Sequence, residues 1–451
     1  MIHCRLDELA APLGARLSGP SVAFRGVSTD SRSVNPGELF VALEGERFDG
    51  HGFLSDAVAR GAAAVMVRHG DNIGAPALVV EDTRRALGAL ARHWRRRCTA
   101  RIAAITGSNG KTTVKEMLGA ILNQVAPTLV TRGNLNNDIG VPLTLFRLAE
   151  GDHFAVVEMG ANHGGEIATL AAIAEPDVGV VTNAGPSHLE GFGSVDGVAR
   201  GKGEMFQGLG AGGTAVINAD DAYADLWRQL AGGKAIVDFG IDAPAAVSAS
   251  PASPGQPVRI SLPAGTVSVR LPVPGRHNLM NALAAAAAAS ALGASPEAIR
   301  SGLEGVSPVA GRLNRRNGVA GSTVLDDTYN ANPASLAAGL EVLATVQGAS
   351  WLVLGDMGEL GTDGAALHAE AGRRARAAGV RRLFAVGPLS AEAATAFGAG
   401  AQHFDDQQAL IDALRAAVTA DVTVLVKGSR SMGMERVVQA LEVGDMAGGR
   451  G

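Results

Sequence analysis

The chain has 451 residues, 47% hydrophobic and 18% charged, with a formal net charge of −5. That balance excludes a largely disordered chain, and with no basic stripe nucleic acid is not expected as a partner. Cys4 and Cys98 are the only cysteines, too few for a disulfide framework or a cysteine-rich zinc site, and the length suits about three domains.

The first block, residues 1–99, opens on MIHCRLDELA, without the basic start and apolar core of a signal peptide, so a cytoplasmic protein is expected. Short β-like pieces at Ala23–Val27, Leu39–Ala42, Ala63–Val67 and Ala77–Val80 alternate with glycine-rich turns. A helical run over Thr83–Arg97 ends the block, and its basic stretch Arg92–Arg97 is expected to be a solvated face.

The second block, residues 100–309, begins with a short apolar run, Arg101–Thr106, of the kind that forms a buried parallel strand. It leads into Thr106-Gly-Ser-Asn-Gly-Lys-Thr-Thr113 and a helix over Thr112–Leu122. Strand, glycine turn, Lys-Thr and helix in that order make a phosphate loop. Backbone N–H groups of Gly107, Ser108, Asn109, Gly110 and Thr113 would converge on phosphate oxygens. Lys111 would supply a point charge and Thr112 a hydroxyl for magnesium. The strict form wants glycine where Ile105 stands, so this is a shorter variant.

Further strands are expected at Phe154–Glu158, Val178–Thr182 and Thr214–Asn218, with helical stretches such as Gly165–Ala174 between them. This alternation argues for a doubly wound parallel sheet. Glu158 ends an apolar strand where a metal-binding carboxylate belongs, and His188 follows a third strand, at the end where such sheets bind ligands. Pro251 to Pro274 carries period-two patches and is expected to be a small antiparallel appendage. Asn278–Ala294 is uncharged but mostly alanine, too weakly apolar for a membrane span, and is expected to be a buried helix.

The third block, residues 310–451, repeats the α/β pattern. Its strands are expected at Thr323–Asp327, Trp351–Gly355, Arg382–Val386 and Val422–Val426. Helical stretches Ala334–Thr345, Ala366–Ala378, Ala391–Phe397 and Gln407–Ala417 separate them. A smaller Rossmann-like unit is expected. An NAD dehydrogenase is disfavoured, because no G-x-G-x-x-G follows a strand with an acid about 20 residues on.

Taken together, these motifs resemble the Mur ligase family, ATP-dependent amide ligases of peptidoglycan precursor assembly, along essentially the whole chain. The resemblance implies three domains: an α/β UDP-substrate domain, a central doubly wound P-loop ATPase domain and a C-terminal Rossmann-like domain. It implies ATP and Mg2+, with magnesium held by Thr112, Glu158, His188 and Lys202. Gly201-Lys-Gly-Glu-Met-Phe206 resembles the segment whose lysine is carbamylated; from the residues alone, Lys202 is an exposed lysine. The resemblance also places Asn278 at the adenine, Arg312 at phosphate, Asp327 on the ribose side and Lys427 on a late loop of the closed cleft. Thr29-Asp-Ser-Arg32 resembles the UDP-binding signature, which implies substrate contacts from Ser31 and Arg32, with others from Asn134 and Asn137.

Within the family, Gly133–Gly140, Tyr329–Pro333 and Gly355–Leu360 resemble the branch that joins D-alanyl-D-alanine to UDP-N-acetylmuramoyl-tripeptide. The branch adding diaminopimelate carries an Asp-Asn-Pro-Arg signature that is absent here. A non-ligating P-loop ATPase is opposed by the third block's own ATP-facing motifs. Relatives often carry aspartate where this chain has Glu190. A monomer is expected.

Overall fold

The computed structural model describes residues 1–45, 48–69, 74–250 and 256–443. Among the described residues three large sheets follow one another along the chain, with two two-stranded sheets beside them in the first block. The first has five strands in the order Arg16–Ser18, Ala77–Val79, Ala64–Val67, Leu39–Val41, Val27–Ser28, all parallel neighbours except the first pair. The second has nine, and its first seven are parallel neighbours: Thr128–Val130, Phe154–Glu158, Arg101–Thr106, Val178–Val181, Thr214–Asn218, Ala235–Gly240 and Val247–Ala249. The third has six strands centred on Val422–Lys427, with antiparallel Asn314–Asn317 at one edge.

The period-two patches form the expected antiparallel hairpin, appended to the edge of the central sheet. Val258–Leu262 and Gly265–Val269 pair antiparallel and extend the central sheet beyond Val247–Ala249. The physical reason is the sheet edge: Val247–Ala249 would otherwise present unpaired backbone groups, and a hairpin covers them. The Pro251–Gly255 part of that expectation lies outside the described residues.

The alanine-rich segment forms a helix, Arg276–Ala291, buried against the phosphate-loop helix Lys111–Leu122 and one face of the central sheet. Alanine suits this place, since its single methyl lets two helices and a sheet approach closely at no side-chain entropy cost. Among the described residues no helix is long and apolar enough to cross a membrane.

Arg92, Arg96 and Arg97 lie on a solvated helix face, as expected, and only Arg95 turns inward. Arg92 Nε and Arg96 Nη2 reach Glu175 Oε1 at 2.8 and 2.6 Å, and Arg95 donates to Ala174 O and Asp177. Arg97 pairs with Glu8 at 3.0 Å. The run lies where the Thr83–Arg95 helix meets the central unit, so its solvated arginines also find carboxylates there, while Arg95 alone exchanges water for carbonyl and carboxylate partners.

Candidate active site

The strand Arg101–Thr106 ends at the carboxyl edge of the central sheet, and the chain must turn there into a helix. Gly107 and Gly110 hold φ of 145° and 83°. A Cβ at Gly107 would strike the Thr182 side chain, and one at Gly110 the Asn281 amide, so conformation and space both demand glycine. The adjacent strand end fixes the loop: Thr182 Oγ1 donates to Asn109 O at 2.6 Å, and Asn109 N–H donates to Asn183 Oδ1 at 2.9 Å. No side chain caps the helix that follows, which leaves its first N–H groups for an anion. Lys111 is half-buried rather than exposed. Its Nζ donates to Gly107 O at 2.6 Å, and burial lowers its pKa against the opposing pull of Glu158.

Glu158 pairs in register with Ile105 of the phosphate-loop strand, so topology sets its carboxylate beside the loop. It is 2% exposed. Asn136 Nδ2 donates to its Oε1 at 2.8 Å, and its own N–H donates to Thr131 Oγ1 at 3.0 Å. Oε2 has no hydrogen-bond partner, and Lys115 Nζ stands 3.6 Å away. A buried carboxylate oxygen in that condition fits a cation, and with the Thr112 hydroxyl lining the same cleft the oxygen donors fit a hard one. Among the described residues no three His, Cys, Asp or Glu side chains converge. The protein thus offers a divalent ion only part of a shell, as suits magnesium shared with phosphate and water.

His188 follows the strand Val178–Val181 and has a left-handed backbone, φ 52°. Burial lowers its pKa, opposed by Glu359, whose Oε2 is 2.6 Å from Nδ1. Lys202 is 1% exposed, which corrects the expectation of an exposed lysine. Its helix, Val195–Gln207, carries glycine on either side of it, and Cβ atoms there would strike Phe192 and Leu230. Close packing therefore buries the amine, which donates to Ala161 O at 3.0 Å and lies 5.1 Å over the Phe192 ring. Burial, then the Lys111 charge, lower its pKa to about 7.

The third sheet forms the opposite wall of a cleft of about 1180 Å³. Arg312 stacks 4.1 Å over the Tyr329 ring and points Nη2 at Thr112 Oγ1, 3.5 Å away, while its buried Nε has no hydrogen-bond partner. Asn332 caps the helix Pro333–Ala344 and also donates Nδ2 to Asn109 Oδ1 at 2.8 Å. Asn134 and Asn137 line the cleft, and Asn137 Oδ1 accepts from Gly140 N–H at 2.8 Å.

Other expected residues lie off this wall. Asn278 is buried and donates to Pro274 O at 2.7 Å, with Asn281 between it and Gly110. Asp327 and Lys427 are brought to each other, a buried ion pair behind the wall, and Lys427 also donates to Asn330 O at 3.0 Å. Ser31 is buried and Arg32 exposed in a loop of the first unit, where Arg32 pairs with Asp30 at 2.8 Å. Sequence reasoning missed Lys115, Asn136 and Glu359. Only Lys115 left a signal, standing one helical turn after Lys111 on the same face.

Comparison with known proteins agrees with this layout. Residues 23–95 match the model "Mur ligase family, catalytic domain", residues 105–289 "Mur ligase middle domain", and residues 311–430 "Mur ligase, glutamate ligase domain". The chain is 46% identical over 448 residues to the UDP-N-acetylmuramoyl-tripeptide–D-alanyl-D-alanine ligase of Escherichia coli, covering 98% of this chain and 99% of that one. It is 33% identical to the Bacillus subtilis protein of the same name, covering 98% and 99%. Among solved structures it is similar to MurF from Acinetobacter baumannii, with TM-score 0.92, 37% identity and 97% and 98% coverage. It is also similar to MurF ligase from Thermotoga maritima in complex with ADP, with TM-score 0.84, 29% identity and 92% and 96% coverage. A phosphate loop facing an arginine and an asparagine from a separate sheet, in a chain matched nearly end to end, places this protein in the Mur ligase family.

Proposed function

We propose that the protein joins D-alanyl-D-alanine to UDP-N-acetylmuramoyl-tripeptide at the expense of ATP, through an acyl phosphate, in peptidoglycan precursor synthesis. The observation that carries this reading is the facing of two sheets across one cleft. The phosphate loop, Glu158 and His188 stand on one side, and Arg312, Tyr329 and Asn332 on the other. The chain divides for this purpose into a UDP-substrate unit (1–99), an ATP unit (100–309) and a closing unit (310–451).

In the first step a tripeptide carboxylate oxygen bonds to the γ-phosphorus and the bond to ADP breaks. Both partners are anions, so alignment and charge neutralisation govern the rate. Backbone N–H groups from Gly107 to Thr113 cradle the phosphates. Lys111 leaves the Gly107 carbonyl for them, and Arg312 approaches from the closing wall. Thr112, Glu158, His188 and a carbamylated Lys202 would hold magnesium, which would supply neutralisation of phosphate charge. Lys202 suits that modification because a buried amine with pKa about 7 is substantially unprotonated, and only the free amine adds CO₂. In the second step the dipeptide nitrogen bonds to the acyl carbon, the bond to phosphate breaks and the amine proton leaves. Closure of the two walls keeps water from the acyl phosphate.

Asn278 supports adenine recognition from beneath the phosphate loop, and Asp327 the ribose side. Ser31, Arg32, Asn134 and Asn137 serve the UDP-linked substrate. Because one chain supplies both walls, a cytoplasmic monomer suffices. The direct experiment is to incubate the purified protein with ATP, D-alanyl-D-alanine and UDP-N-acetylmuramoyl-tripeptide and weigh the product. A pentapeptide mass with release of ADP is expected, and ATP hydrolysis without it would refute the ligase reading.

A further inference from the structure

The ligase reading leaves one charge without a counterpart. At neutral pH the amino group of D-alanyl-D-alanine arrives as an ammonium, and the cleft it enters carries Lys111, Arg312 and Arg430. A carboxylate is needed to hold it. Most cleft carboxylates already have partners. Glu116 pairs with Lys115 at 3.0 Å, Asp138 accepts from Arg84 Nη2 at 2.8 Å, and Glu435 faces Arg430 at 3.5 Å. Glu166 accepts the Asn162 N–H at 2.7 Å, Asp326 accepts the Thr328 hydroxyl at 2.7 Å, and Glu158 belongs to the metal side. Glu359 differs. Its partner is His188, which the proposed chemistry assigns elsewhere, and its side chain is 59% exposed.

The loop that carries Glu359 is a rigid bracket. Met357 is fully buried, and its N–H donates to His368 Nε2 at 2.8 Å; the other ring nitrogen, then carrying the proton, donates to Gly364 O at 2.7 Å. The Asp356 carboxylate accepts the Ser390 N–H at 2.7 Å, and its carbonyl accepts the Ser429 N–H at 2.9 Å. Leu360 is buried in the same apolar cluster as Met357. From Gly355 to Leu360 the loop is therefore anchored to its own unit through Asp356, Met357 and Leu360, and Glu359 is the one exposed residue in it. Such anchoring fixes a charge in space and lowers the entropy lost when it binds an ion.

We infer that Glu359 is the substrate-binding carboxylate that receives the ammonium of D-alanyl-D-alanine, releasing His188 as it does so. The inference rests on the ligase reading. It makes the site sensitive to the charge of the nucleophile: a charged amine needs Glu359, and an uncharged one does not.

The test is steady-state kinetics of full-length Glu359→Gln with ATP and UDP-N-acetylmuramoyl-tripeptide, using either the dipeptide or hydroxylamine, which is uncharged at neutral pH. The expected result is a KM for D-alanyl-D-alanine raised about 10-fold or more, the loss typical of a charge-assisted hydrogen bond. The KM values for ATP and tripeptide, and the rate of hydroxamate formation, stay within about twofold, and Glu359→Asp recovers part of the dipeptide KM. A dipeptide KM within about threefold of wild type would overturn the inference. So would a rise in all three KM values together, since Glu359 would then act through domain closure. Failure of the wild-type protein to form any amide product would instead refute the ligase reading on which the inference stands.

Discussion

The central unit meets its two neighbours through different physics. Toward the first unit the contact is a shared core: Ile2, Leu6, Leu9 and Trp94 lie in one buried cluster with Leu145, Phe146 and Ile167. Backbone joins them too, since Ile2 N–H donates to Phe146 O at 2.7 Å. Toward the third unit no buried cluster is shared among the described residues, and the third sheet has separate clusters on its two faces. The link there is polar: Arg312 to Thr112, Asn332 to Asn109 and Glu359 to His188. Apolar burial has no direction and favours one fixed arrangement, whereas a few part-buried polar contacts at the edge of a cleft can be exchanged for contacts with water. The first unit is thus fixed by a shared core, whereas the third is held across the cleft by polar contacts, the kind of interface that suits a hinge.

Cutting the polar link altogether gives the largest effect. Removal of residues 310–451 is expected to abolish ligation while the remaining chain keeps its helix and sheet signal and a cooperative thermal transition. Product formation by the truncated protein would end the closing-unit idea. Next, Lys111→Ala is expected to lower turnover by about 10²-fold or more. Its Tm should move little, because Lys111 bonds only to carbonyls of its own loop. Turnover near wild type would remove the phosphate-loop assignment.

Lys202→Ala is expected to be nearly inactive and partly restored by acetate, whose carboxylate can occupy the place of a carbamate. Activity assays with and without acetate in bicarbonate-free buffer decide this, and full activity without either additive would make Lys202 a packing residue. The smallest effect belongs to the apolar seam. Glu175→Ala removes the partner of Arg92 and Arg96 but should cost about 1 kcal/mol or less by denaturant unfolding, with ligation unchanged. A much larger loss would show that ion pairs rather than the core hold the first unit.

Much of the fold was legible because its signals are local. The run Arg101–Thr106, the glycines at 107 and 110 and the helix after them announce themselves by apolar periodicity and by turn positions that only glycine fills. Glu158 at a strand's end and His188 beyond another follow from the same logic, and the sheet brings both to the cleft. The strands Thr128–Val130, Ala235–Gly240 and Ala401–Phe404 escaped notice. Two are only three and four residues long, and Ala235–Gly240 shows exposed residues at its start, so none offers a clear period.

The sequence by itself thus determined the α/β class, the order of the three units and the phosphate loop, because each depends on residues within a turn or two of one another. The tertiary structure decided what distant segments do to each other. It buried Lys202 under Phe192, paired Arg92 and Arg96 with Glu175 and joined the Val258–Leu262 hairpin to the central sheet. It also placed Glu359 against a histidine 171 positions earlier in the chain. Burial, pairing and pKa are properties of neighbours in space, and at these positions the neighbours are set by how whole elements pack rather than by local sequence.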